Sequence, residues 1–183
     1  CRYKIGELAA MWIFAGAMTG IRPSEWATVK IINNYIDCSG VVYNRIIQIT
    51  SAKKGGLAKC YSELKRHLIF DHWIDDEVYL LMTFINSLPE ENIEFSKLRK
   101  QVQHTIVKAC NRAIGAEKNF TIYSCRHLYA SEYRRLPGST RYKLAAALGH
   151  SDMRTTMVYL HVAQIQPKLP HSPLDSLYQI NID

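Results

Sequence analysis

Between residues 29 and 70 the chain changes its periodicity, and this change limits the fold more than any other feature. Val41 to Thr50 (VVYNRIIQIT) is β-branched and aromatic, which is strand composition. Asp37-Cys38-Ser39-Gly40 ahead of it reads as a turn, and Lys53-Lys54-Gly55-Gly56 after it reads as a hairpin turn. Leu57 to Phe70 returns as one or two further strand segments. The stretch predicts a small antiparallel sheet of about three strands. Lysines crowd its tip, and Lys53, Lys54, Lys59, Lys65 and Arg66 are candidates for a basic rim.

Both flanks are helical in pattern. Residues 3 to 18 put Ile5, Leu8, Ala9, Trp12 and Ile13 on one face of a buried helix, which Thr19-Gly20 stops. Pro23 fits the first position of a short helix reaching about Val29, with Glu25 in its first turn. Arg22 then sits at a positive helix end, where backbone donors and a guanidinium suit a phosphate. Asp75 or Asp76 caps a helix through Leu81 and Phe84, ending before Pro89. Ser96 caps another through Val102 and Ile106, closed by Gly115. Thr121 caps a third, with Ile122, Cys125, Leu128 and Tyr129 inward and Tyr123 and Arg126 sharing a face three residues apart. Ser139 or Thr140 opens a helix to Leu148, where Gly149 supplies the left-handed residue that ends it. Ser151 or Asp152 caps the next helix, which carries Tyr159. The expected class is α+β, mainly α-helical, with a small three-stranded antiparallel sheet on one side of a helical domain.

A net charge of +7 and a pI of about 9.2 favour a polyanionic partner. Hydrophobic content of 48% and charge of 21% fit a soluble globular protein rather than a disordered chain. No apolar run approaches the ~20 residues of a membrane span. Five cysteines, odd in number and without a C-x-x-C, indicate neither a zinc ribbon nor a disulfide framework. Reduced thiols in a cytoplasmic protein are the simplest account. The start at Cys1 points to a piece of a longer protein.

Arg22, a hairpin lysine, Arg126, His150 and Tyr159 all fall at turns or helix starts. Two arginines can clamp the non-bridging oxygens of one phosphodiester and offset charge growing at phosphorus. Tyrosine is a nucleophile that needs a cationic pocket or a base at neutral pH. Lysine can protonate a leaving alkoxide, and histidine can donate to a phosphoryl oxygen. Together they serve one reaction, transfer of a DNA phosphate onto tyrosine, with no metal and no cofactor.

Thr19-Gly20-Ile21-Arg22-Pro23-Ser24-Glu25, Tyr123-Ser124-Cys125-Arg126-His127 and Leu148-Gly149-His150, with Tyr159 nine residues on, occur in that order. They resemble the T-G-[LIM]-R-x-x-E, H-x-x-R-H and L-G-H boxes of the tyrosine recombinases, the phage-integrase family. The likeness runs from residue 19 to 159, nearly the whole chain. It implies a catalytic domain over 1–165 and a tail over 166–183 that packs on a neighbouring protomer or folds back on its own. A separate N-terminal DNA-binding domain is expected to be missing from this chain.

By that resemblance Tyr159 would attack the scissile phosphate and leave a 3′-phosphotyrosyl link. Arg22 and Arg126 would clamp the phosphate, His150 would bond to it, and a hairpin lysine would protonate the 5′-oxygen. Lys53 is the first choice, with Lys54 and Lys59 as alternatives; Lys54, Lys59 and Arg154 are also candidates for DNA contact. Glu25 would orient Arg22, and His127 would be structural. Tyr123 stands where the family has its first histidine of the second box, a departure that leaves proton removal from Tyr159 open. The implied partner is double-stranded DNA at specific recombination sites, bound by a homo-tetramer across two sites. The setting is the cytoplasm of a bacterium or a mobile element. Type IB topoisomerases and telomere resolvases use the same five residue types, and a catalytically silent DNA-binding module of this fold is the reading from another class.

Overall fold

A computed structural model describes residues 4–37, 39–50, 65–71, 73–115 and 120–150. Five α-helices and three strands occur among them: α1 (Ile5–Thr19), β1 (Lys30–Ile36), β2 (Val42–Thr50), β3 (Lys65–Ile69), α2 (Asp75–Ser87), α3 (Asn92–Ile114), α4 (Ser124–Tyr133) and α5 (Arg141–Ala147). The class is mainly α-helical α+β with a three-stranded antiparallel sheet, as the sequence pattern predicts. The chain divides into two compact units, Cys1–Ala27 with Asp75–Tyr129 and Thr28–Ile74 with Ala130–Asp183.

The first unit is a helical core. α1 buries Leu8, Trp12, Ala15 and Met18, at the spacing of one helical face. Ile5 lies outside that core at 37% exposure because it opens the first turn. The Trp12 ring meets Phe84 of α2 edge-on at 5.4 Å and Phe95 of α3 at 5.8 Å. Trp26 meets the same Phe84 at 4.9 Å and 86°, the edge-to-face arrangement that aromatic quadrupoles favour. Phe95, Leu98, Val102 and Ile106 form the buried stripe of α3. Burial of Phe95 explains why α3 starts at Asn92, about one turn ahead of the expected Ser96 cap.

The second unit holds the sheet, in the order β1-β2-β3. Ile46 faces Ile32 on β1 and Ile69 on β3, and Tyr43, Ile46 and Ile69 form a buried cluster with Ile32 and Tyr35 against it. One strand differs from the expectation: β1 precedes the Asp37 turn, where the sequence pattern places none. Asn33 and Asn34 lower the strand propensity of β1, and Asn34 has φ of 52°. The turn itself is as read. The Asp37 carboxylate accepts from the Ser39 N–H (2.9 Å) and hydroxyl (2.7 Å), the Val41 N–H (2.9 Å) and the Tyr43 hydroxyl (3.2 Å). The Ser39 hydroxyl foremost, with these other donors, holds the Asp37 carboxyl below the ordinary 3.8 against the opposing effect of desolvation.

Candidate active site

The Arg22 segment is built from the end of α1 outward. The Thr19 hydroxyl donates to the Ala15 carbonyl (2.6 Å) and accepts from the Ile21 N–H (3.3 Å). Gly20 takes φ of 62° and returns its N–H to the Gly16 carbonyl, a left-handed stop that glycine adopts without steric cost. Ile21 enters the core, and the chain reaches Arg22, of which 5% is exposed.

Glu25, fully buried, braces that arginine. Its carboxylate accepts from Arg22 Nη1 at 2.6 Å and from the Arg22 backbone N–H at 3.0 Å. A buried charge is tolerated when it is paired and hydrogen-bonded, and here one carboxylate fixes both the side chain and the backbone of Arg22. The expected helix to Val29 is instead a single 3₁₀ turn, Glu25–Thr28, because β1 takes over at Lys30. So short a turn has little dipole, and the Arg22 N–H is already engaged. What Arg22 can offer an anion is its guanidinium.

Arg126 lies in the first turn of α4 and is 1% exposed. Its Nη1 donates to the Gly20 carbonyl, a bond across 106 residues of sequence. The Tyr129 ring covers the same glycine, so closely that a Cβ there would lie within 2.9 Å of its carbons. Arg22 and Arg126 are therefore tied to one turn of the first unit.

Tyr123 does not share a burial environment with Arg126. It precedes α4, is 37% exposed and stands edge-on to His127 at 6.0 Å. It lines an open cleft of about 570 Å³ with Pro23 and with Arg99, Lys100 and His104 of α3. The sequence does not mark this basic trio, since charges at helical spacing look like any solvated face. His127 is half-buried; burial, then the Arg126 charge, pulls its pKa below the ordinary 6.5.

His150 belongs to the second unit. α5 is capped by Thr140, whose hydroxyl accepts from the Lys143 N–H. At its other end Gly149 has φ of 61° and donates to the Ala146 carbonyl (2.8 Å), while His150 donates to the Ala145 carbonyl (2.9 Å). These two bonds are a Schellman closure, and they set the backbone at His150. Arg66 is not on a basic rim. It is 8% exposed, and its Nη1 donates to the Leu148 carbonyl at 3.3 Å. Lys53, Lys54, Lys59, Arg154, Tyr159 and the tail lie outside the described residues.

Among the described residues no group of three His, Cys, Asp or Glu side chains is placed to hold a metal. No helix among them is long and apolar enough to cross a membrane.

No family model matches the chain, and no solved structure matches it. It is 26% identical over 156 residues to tyrosine recombinase XerD of Oceanobacillus iheyensis, covering 82% of this chain and 48% of that protein. The chain thus spans about half the length of the curated relative it matches. That likeness supports a relationship to the tyrosine recombinase family.

Proposed function

We propose that the chain is the C-terminal catalytic domain of a site-specific DNA recombinase or integrase. The observation that carries this reading is the pair of buried arginines tied to one turn, Arg126 through the Gly20 carbonyl and Arg22 two residues beyond it. Fixed guanidinium groups cost little reorganisation when charge develops on a phosphate. The likeness to a tyrosine recombinase agrees with this reading.

In this mechanism Arg22 and Arg126 hold the non-bridging oxygens of the scissile phosphate, and His150 donates a further hydrogen bond. The Tyr159 phenol releases its proton to solvent as its oxygen attacks phosphorus, and the bond to the 5′-oxygen breaks. A hairpin lysine, Lys53 before Lys54 or Lys59, delivers the proton that makes the leaving group a 5′-hydroxyl. The 3′-phosphotyrosyl bond conserves the phosphodiester energy, so attack by an incoming 5′-hydroxyl rejoins the strand without ATP. Glu25 keeps Arg22 in place. Tyr123, exposed beside Arg99, Lys100 and His104, contacts the DNA backbone next to the cut. Lys54, Lys59 and Arg154 add phosphate contacts, and binding weakens steeply with salt. Assembly is a homo-tetramer across two DNA sites, with residues 166–183 reaching a neighbouring protomer.

A nicked duplex taken from the DNA flanking the gene tests the reading, because its 5′-hydroxyl fragment diffuses away after cleavage. A covalent protein–DNA adduct is expected with the wild type and none with Tyr159→Phe. Relaxation of supercoiled DNA without exchange between two sites would shift the reading to a type IB topoisomerase. Binding of the duplex with no adduct would leave a silent DNA-binding module.

A further inference from the structure

We infer that Arg66 is a positioning residue for His150, acting on its backbone from β3 rather than on DNA. Arg66 pairs with Ile49 of β2 in the ladder, and its side chain is buried rather than offered to solvent. Its guanidinium donates to the carbonyl of Leu148, the cap residue of α5. The last carbonyls of a helix lack helical partners, and a buried cation is a strong donor to one of them.

The same guanidinium occupies the space beside Gly149. A Cβ at that glycine would lie 3.1 Å from Cζ and 3.2 Å from Cδ of Arg66, and still closer to Nη1. The φ of 61° at Gly149 favours glycine, and a side chain there would also push the Arg66 guanidinium aside. Leu148 is held by Arg66, Gly149 and His150 by the two Schellman bonds. The direction in which the chain leaves α5 at His150 is fixed from both sides. A buried arginine could serve packing alone, so the test must read His150 itself. The catalytic part of this inference rests on the recombinase reading; the anchoring part does not.

Two measurements separate them. Amide hydrogen exchange at Gly149 and His150 should rise roughly tenfold in Arg66→Met while the first turn of α5 is unchanged. Unchanged exchange at both amides would overturn the inference whatever the protein does to DNA. With the nicked duplex at saturating concentration, Arg66→Met should slow adduct formation roughly tenfold, and Arg66→Lys should recover part of the loss. In the His150→Ala background the same Arg66→Met change should cost less than about twofold, since its effect runs through the histidine. A full loss in both backgrounds, or none in either, would overturn the positioning role. Should wild-type protein form no adduct, the recombinase reading fails and the exchange measurement alone decides the anchor.

Discussion

Arg126 reaches from the first turn of α4 to the carbonyl of Gly20, the residue that ends α1. Its guanidinium is thus a support for the turn that carries Arg22 as well as a proposed phosphate ligand. Arg126→Gln leaves a buried carbonyl without this donor, a loss of about 1–3 kcal/mol. Urea unfolding should show that loss, and adduct formation by the folded fraction should fall further than the stability change explains. Arg126→Lys keeps the charge but loses the planar fork, so it should restore little of the activity.

Glu25 is the counterpart on the other side of the turn. Glu25→Gln preserves the shape but removes the negative charge that faces buried Arg22. Removing one member of a buried pair costs about 3 kcal/mol or more. The drop in urea midpoint should therefore exceed that of an exposed control such as Glu94→Gln, which should stay within about 0.5 kcal/mol.

Gly20 and Gly138 both have positive φ, 62° and 72°, but differ in what surrounds them. An alanine at Gly138 meets nothing within 4 Å, so Gly138→Ala should cost only the left-handed backbone, about 1–2 kcal/mol. An alanine at Gly20 adds a collision with the buried Tyr129 ring, and overpacking adds about 1–3 kcal/mol more. Paired unfolding curves of the two variants give the steric part by difference. Equal losses would mean that Tyr129 moves aside freely.

The helices and their faces were legible because each carries an apolar stripe and a stop: Leu81 and Phe84 before Pro89, Val102 and Ile106 before Gly115. The sheet was legible in number, since Val42–Thr50 is rich in β-branched and aromatic residues. β1 was not, because its two asparagines hide a strand whose burial depends on pairing with β2. The site motifs mark Arg22, Arg126 and His150 and put Glu25 beside Arg22, but say nothing of what holds Arg126 and His150. The Arg126–Gly20 bond joins residues 106 apart and Arg66–Leu148 joins residues 82 apart. No local pattern encodes such contacts, so Arg66 reads in sequence as one more surface cation.

Cys125 sits on the buried side of α4, and burial pushes its thiol from 9.0 up to about 12. So high a value leaves very little thiolate near pH 8. In a variant keeping Cys125 as its only cysteine, a maleimide should leave the folded protein unlabelled and react promptly in urea. Fast labelling without denaturant would show that α4 opens readily.

His127 gives the fold a dependence on acid. Its pKa lies below 6.5 because burial, and then the neighbouring Arg126 charge, disfavour the imidazolium. The unfolded chain binds that proton more readily, so stability is full when both states are neutral and declines as pH falls through 6.5 toward the folded value. Arg126 carries the bond to Gly20, so the loss should appear in the same turn that supports Arg22. Urea midpoints at pH 7.5 and pH 5.5 should differ in the wild type, and His127→Gln should narrow the gap. A gap that is unchanged in His127→Gln would place the acid sensitivity on another group.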